Sequence, residues 1–266
     1  MEIQQNKRVT GPRSIFAITG KGGAGKTTVA ALLISRLIKK EKKPVLAIDA
    51  DPNTCLDQAL GVNAIKTIGN IREEAKKAAG KGLSSGISKQ RMLEMEIAES
   101  LVETENFDYI AMGRPEGPGC YCYANNLLRE VLGKISNQYP FVVLDNEAGL
   151  ENLSRRIYQN VDLLIMVSDP SWQGISTVGR LHELAGEMEI HYKKLVIMVN
   201  RLRSPKQPQR ITEIQKRTHA HMVLELPENE EVSRFAEQGK SLLGLPESNE
   251  VVNHMDQFLT NIGVFK

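Results

Sequence analysis

Aromatic side chains are scarce in this chain: they make up 5% of 266 residues, with a single tryptophan. The core must therefore be built from isoleucine, leucine and valine. Cysteine is rare too, at three residues, which leaves no even disulfide framework and fits a reducing, cytoplasmic setting. No apolar run approaches the length needed to cross a bilayer, and the polar stretch over 1–13 lacks the apolar segment of a secretory signal. The formal net charge of +2 is too small to announce nucleic acid as a partner. Internal repeats and low-complexity tracts are absent. What remains is the composition of one α/β domain over 14–266, large enough for a full core, behind a polar tail over 1–13.

One stretch is dense in signal. Ser14 to Lys39 reads as strand, glycine loop, helix. Ile15, Phe16, Ala17 and Ile18 form a short apolar run suited to a buried parallel strand. Gly20-Lys21-Gly22-Gly23-Ala24-Gly25-Lys26-Thr27-Thr28 follows, and Gly20, Gly25, Lys26 and Thr27 satisfy the phosphate-loop pattern. Glycine lets the backbone close tightly and aim its N–H groups at phosphate oxygens. Lys26 is placed to meet the β- and γ-phosphates of a nucleotide, and Thr27 to offer a hydroxyl to Mg²⁺. The helix from Thr27 adds its positive dipole end. A glycine-rich turn without a ligand is the plainer alternative, but a strand before and a helix after favour the nucleotide.

Two further apolar strands end in carboxylates. Val45 to Ile48 runs into Asp49-Ala50-Asp51-Pro52, and Phe141 to Leu144 runs into Asp145 and then Asn146-Glu147-Ala148-Gly149-Leu150-Glu151. A single Asp after a strand can be only a turn or helix cap. Open parallel sheets, however, bind ligands at this strand edge. Strands alternating with helices, each strand a near-continuous apolar run, predict a P-loop NTPase fold: a mostly parallel, twisted sheet with helices on both faces.

Lys21, a second lysine that the general loop pattern does not demand, makes the chain resemble the deviant Walker A ATPases, the group that contains MinD, ParA, ArsA and the nitrogenase iron protein. The resemblance implies an ATP-hydrolysing enzyme in which Lys21 reaches across a dimer to the partner's nucleotide. It implies that Asp51 orients or activates the attacking water, that Asp49 belongs to the Mg²⁺ surroundings, and that Asp145 holds the metal through water. Gly149 would sense the γ-phosphate through its amide. Lys21, Lys26, Asp51 and Asp145 are thus the implied catalytic groups. Two late strands, Leu195 to Val199 and Val223 to Leu226, lead into Asn200-Arg201 and Pro227-Glu228, which by the same resemblance frame adenine. No N-K-x-D motif for guanine is present, so ATP is favoured over GTP.

Cys120 and Cys122 form a lone CxC pair on a Gly/Pro-rich loop. It lies between a predicted strand, Phe107 to Met112, and a helix predicted from about Ala124, with Leu127, Leu128, Val131 and Leu132 on its apolar face. Such a loop exposes thiolates. One pair supplies two ligands where a closed soft-metal site takes four, and the five histidines form no ligand-spaced cluster with Cys120. A two-fold dimer would bring an identical pair and let four thiolates hold Ni²⁺ or Zn²⁺. Two small buried hydrophobes are the alternative; a disulfide between residues so close is strained.

Gly113-Arg114-Pro115-Glu116 before Gly119-Cys120-Tyr121-Cys122, together with the segment from Asp145 to Glu151, looks like the CooC-type ATPases, including the relative AcsF. From about Ser14 to the carboxyl terminus the chain is similar to that group; 1–13 matches nothing. The resemblance implies a homodimeric nickel metallochaperone whose client is carbon monoxide dehydrogenase or acetyl-CoA synthase. A positioning or partition ATPase of the MinD or ParA kind, and an iron–sulfur reductase resembling the nitrogenase iron protein, are the competing functions. The latter uses two well-separated cysteines per subunit, and no good second position follows Cys122.

Other features read as structural. Basic clusters over 72–91, interrupted by Gly80, Gly82 and Gly86, and over 201–217 are most simply solvated faces. If one is functional, it suits an acidic client, and the first would be a mobile insertion. Trp172 is expected to be a partly buried residue near a strand's end. From Val251 on, Met255, Phe258, Leu259 and Ile262 recur at helical spacing, and the polar face carries almost no lysine or arginine. That argues for core burial and against a membrane-surface helix.

Overall fold

A computed structural model describes residues 14–71, 74, 89–113, 131–150, 160–203 and 208–265. Its strands are β1 (Ser14–Gly20), β2 (Val45–Asp49), β3 (Val102–Glu103), β4 (Phe107–Ala111), β5 (Phe141–Asp145), β6 (Asn160–Ser168), β7 (His191–Leu202) and β8 (Met222–Pro227). They form one sheet in the order β3-β4-β2-β5-β1-β6-β7-β8. All neighbours are parallel except the short edge strand β3, which runs against β4.

The helices are α1 (Lys26–Lys39), α2 (Leu56–Leu60), α3 (Lys89–Glu99), α4 (Trp172–Glu187), α5 (Pro208–Thr218), α6 (Glu230–Glu237) and α7 (Glu250–Asn261). Local chemistry sets several of their starts. Ser171 Oγ accepts the Gly174 amide at the head of α4, and the Asn229 and Asn249 side chains cap α6 and α7 in the same way.

Because parallel strands are covered on both faces, alternate residues of one strand feed different cores. Ile15, Ala17, Leu46, Ile48, Val142 and Leu144 join Ile175, Val178 and Leu181 of α4 in one cluster. Phe16, Ile18, Val45, Ala47 and Val143 join Val29, Leu33 and Leu37 of α1 and Met255, Phe258 and Leu259 of α7 in the other. The terminal helix is therefore a core element. Burying each of its large side chains contributes roughly 2 kcal/mol.

Arg36 of α1 is 2% exposed and clamps α1 to the carboxyl-terminal region. Its guanidinium donates to both carboxylate oxygens of Glu247 at 3.0 and 2.7 Å, and to both of Asp256 at 2.7 and 2.9 Å. Burial works to lower its pKa, but these carboxylates push it up.

Two sequence expectations change. Trp172 is not partly buried: it begins α4 with 65% of its surface exposed. The strand foreseen at Leu195–Val199 extends to His191–Leu202. Most of the 72–91 cluster and residues 124–130 lie outside the described residues, whereas Val131 and Leu132 are buried as expected.

Candidate nucleotide and metal site

The strand order gathers the motif-bearing segments at one sheet edge. β1 lies between β5 and β6, with Ile18 beside Asp145 and Gly20 beside Val167. β2 lies on the far side of β5, with Asp49 directly opposite Asp145. The glycine loop, both carboxylate pairs and the amino end of α1 thus share the carboxyl edge of the sheet, where this architecture binds ligands.

Within the loop, Gly25 sits at φ 92°, and a Cβ there would fall 2.3 Å from the Asn200 amide nitrogen. Both the left-handed backbone and the close approach require glycine. Asn200 Nδ2 donates to the Ala24 carbonyl at 2.9 Å, and Arg201 Nη1 donates to the Gly23 carbonyl at 3.2 Å. A register shift between Val199 and Leu202 places these two side chains against the loop, with Arg201 itself at φ 59°. Lys26 is buried, and its ammonium donates to the Lys21 carbonyl at 3.4 Å, across the loop.

The four residues expected around adenine therefore divide. Asn200 and Arg201 brace the phosphate loop. Pro227 and Glu228 line a cavity of about 540 Å³ with Leu202, Arg203, Glu225, Glu250 and His254, and Glu228 is bound bidentately by Arg203 at 2.7 and 3.2 Å.

The metal end consists of Thr27 and Asp145. Thr27 Oγ1 donates to Asp145 Oδ2 at 2.7 Å. Asp145 is 1% exposed, and its Oδ1 has no hydrogen-bond partner among the described residues. Burial pushes its pKa to about 7; the Thr27 hydroxyl counters this and the nearby Asp49 adds to it. A buried carboxylate with an orphaned oxygen beside a phosphate loop is a group that a hydrated cation would satisfy. The residues fit Mg²⁺: Thr27 would hold it directly and Asp145 through water. Bound there, Mg²⁺ would neutralise charge on the β- and γ-phosphates.

Asp49 organises the adjoining loop. Oδ1 accepts the Asp51 amide at 3.1 Å, and Oδ2 accepts the Leu56 amide at 2.9 Å and the Tyr109 hydroxyl at 3.1 Å. Burial lifts its pKa to about 6 against the pull of these three donors. Asp51 is less buried; its Oδ1 accepts from the Asn53 amide and side chain at 2.9 and 3.0 Å.

The segment after Asp145 is tied to β1. The Asn146 amide and its Nδ2 both donate to the Ile18 carbonyl, at 3.0 and 2.9 Å. Thr19 Oγ1 donates to the Gly149 carbonyl, and Gly149 itself lies at φ 114°.

Lys21 has a partner that the sequence did not announce. Its ammonium lies 2.9 Å from Asp169 Oδ2, at the turn between β6 and α4. Although burial works against it, hydrogen bonds from Ser171 and Lys21 hold the Asp169 carboxyl below the usual range. Asp169, Tyr109 and Thr19 were all missed as site residues. Asp169 is 148 residues from Lys21, and no motif spacing records such a contact.

Cys120, Cys122 and Glu151 lie outside the described residues. Among the described residues no group of three or more His, Cys, Asp or Glu side chains is placed to hold a metal ion. Cys55 is exposed, and burial together with Asp51, Asp49, Asp57 and Asp145 raises its pKa. No described helix is long and apolar enough to cross a membrane.

The CobQ/CobB/MinD/ParA nucleotide binding domain model matches residues 15–243. An uncharacterised ATP-binding protein of Methanocaldococcus jannaschii is 41% identical over 249 residues, which span 93% of this chain and 98% of the relative. The carbon monoxide dehydrogenase accessory protein CooC of Rhodospirillum rubrum is 32% identical over 201 residues, spanning 71% and 75%. A ParA family ATPase from Chlorobium tepidum TLS shares the fold, with a TM-score of 0.68 at 18% identity over 94% of this chain and 99% of its own. The chain belongs to the CobQ/CobB/MinD/ParA nucleotide-binding family and is an ATPase.

Proposed function

We propose that this ATPase is a cytoplasmic metallochaperone that carries nickel, or gates its insertion, for the maturation of carbon monoxide dehydrogenase or acetyl-CoA synthase. The observation that carries the reading is the Cys120-Tyr121-Cys122 pair in a chain similar to the Rhodospirillum rubrum accessory protein. Each subunit of a nucleotide-linked homodimer would contribute two thiolates, giving a four-sulfur site for Ni²⁺, with Zn²⁺ as the competing cargo. The phosphate loop, Lys26, Thr27 and Asp145 would hold Mg²⁺-ATP. Lys21 would cross to the partner's phosphates, and Asp51 would face the attacking water.

A positioning or partition role of the MinD or ParA kind is the second reading, favoured by the shared fold. Against its membrane-bound form, the apolar face of α7 is buried in the core: Val251, Met255, Phe258 and Leu259 are each no more than 3% exposed. Its polar face offers Asn253, His254, Gln257, Thr260 and Asn261 in place of the basic residues that anionic lipid attracts.

Replacing Cys120 and Cys122 together with Ser tests the proposal. Hydroxyls are hard, poorly ionised donors, so stoichiometric Ni²⁺ binding in equilibrium dialysis should be lost. ATP hydrolysis should survive in part, because the phosphate loop is a separate constellation. Undiminished nickel affinity in the double variant would remove the thiol pair from the site.

A further inference from the structure

We propose that Tyr109 is a positioning residue for ATP hydrolysis, acting through Asp49 to anchor the loop that presents Asp51. The inference rests on the reading of Asp51 as the residue nearest the attacking water.

Tyr109 stands in the middle of β4, beside Ala47 of β2, and is fully buried in the cluster that contains Phe107, Ala111, Val45 and Ala47. In such surroundings phenylalanine would fill the same space, and a hydroxyl costs free energy unless it finds a partner. The partner is not a core group. It is Asp49 Oδ2, 3.1 Å away, at the end of the neighbouring strand.

The other two donors to Asp49 show what the bond does. Oδ1 takes the Asp51 amide and Oδ2 takes the Leu56 amide, so one carboxylate clips both ends of the segment 51–56. Inside the clip the Thr54 amide donates to the Asp51 carbonyl at 3.1 Å, and Thr54 is held at φ 48°. That is a tight turn which an unclipped chain would not favour. Both amides belong to the loop and move with it. The Tyr109 hydroxyl alone of the three comes from a different strand of the sheet. The Asp49 backbone is already held in the ladder between β4 and β5, so what the hydroxyl fixes is the setting of the Asp49 carboxylate, and through it the Asp51 amide, against the frame that also carries Asp145 and the phosphate loop. Hydrolysis depends on sub-ångström placement of the group facing the water, whereas ATP binding depends on the glycine loop and Lys26.

Tyr109→Phe removes one oxygen and leaves the ring in place. Its kcat should fall about tenfold, the worth of a hydrogen bond to a charged group, while the KM for ATP stays unchanged. Amide exchange in the segment 51–56 should quicken while exchange in the phosphate loop does not. Tyr139→Phe is the control. That hydroxyl donates to Asp108, which pairs with Leu46 of β2 rather than with Asp49, so this variant loses a similar bond that touches neither Asp49 nor the segment 51–56 and should keep the parental kcat.

A Tyr109→Phe protein with parental turnover, or a Tyr139→Phe protein slowed as much, would overturn the proposal, the second because sheet stability would then explain both. Asp51→Ala, assayed alongside, separates the premise from the inference. If it hydrolyses ATP normally, the reading of Asp51 fails. If it is slow and Tyr109→Phe is not, only the role of Tyr109 fails.

Discussion

Replacing Lys26 with Ala removes the cation assigned to the β- and γ-phosphates, an ammonium held inside the loop against the Lys21 carbonyl. ATP affinity should collapse. Asp51→Ala acts differently: its carboxylate touches Asn53 and contributes nothing to the loop's closure around phosphate. Hydrolysis should slow by about a hundredfold or more, as for loss of a group that activates water, while ATP binding measured by calorimetry stays close to the parental value. Parental turnover in Asp51→Ala would make the residue merely structural. The groups named in these variants stand in short motifs and were legible in sequence. Their partners were not, because Asp169 reaches Lys21, and Tyr109 reaches Asp49, only once the strands are laid side by side.

At the scale of elements, the joint between α1 and the carboxyl-terminal region turns on Arg36. Arg36→Met keeps most of the stem's volume but removes the shared cation, leaving Glu247 with Lys39 at 4.0 Å and Asp256 with Lys40 at 3.5 Å. Because Glu247 is 59% and Asp256 24% exposed, neither is left as a buried unpaired charge, and the loss of stability should fall between an exposed and a buried pair, about 1–2 kcal/mol, read from urea unfolding. The same network predicts an acid dependence. Arg36, the chief cause, lowers the Glu247 pKa from its usual 4.5, so the folded state binds fewer protons than the unfolded one in that range. The stabilisation is present above pH 4.5 and is lost as pH falls through the lower folded-state value. The parental urea midpoint should therefore drop below pH 4.5 more steeply than that of Arg36→Met. Equal slopes would deny Arg36 this part. Elements with unbroken apolar runs, such as β1, β2 and β5, were legible because burial on both faces leaves no ambiguity. β7 was seen only in its Leu195–Val199 portion, because His191, Lys193 and Lys194 are exposed where the strand begins. Ladder hydrogen bonds to β6, from Asn160↔His191 onward, extend it there.

For the whole molecule the telling feature is that Lys21 is engaged. In the chain described here its ammonium is occupied by Asp169, so reaching a partner subunit's nucleotide means exchanging one anion for another. On the proposed role of Lys21, the exchange would make association conditional on the phosphates that replace the carboxylate. ATP should drive two subunits together, and nickel held between two thiol pairs should do the same. On the proposed function both ligands would favour one closed state, and each should then raise the affinity for the other by an equal factor. Lys21→Ala should stay folded and bind ATP yet associate poorly with it. Sedimentation with ATP, with Ni²⁺, with both and with neither reads the result. A mass that ignores both ligands, or a Lys21→Ala protein that pairs normally, would leave the dimeric gate without support.

The exposed indole at the head of α4 has a consequence for spectroscopy. Trp172 is the single tryptophan in the chain and is 65% exposed, so emission excited at wavelengths too long for the six tyrosines reports one solvated fluorophore. That fluorophore sits three positions from Asp169, on a turn whose amide and hydroxyl at Ser171 join Asp169 to the first turn of the helix. If Lys21 leaves for a partner's phosphates as proposed, the carboxylate beside this turn would lose its counter-charge, and the field at the indole should change with it. Stopped-flow emission after mixing with ATP should then report the release of Asp169 by Lys21 without an added label, and the Lys21→Ala protein should lack that signal.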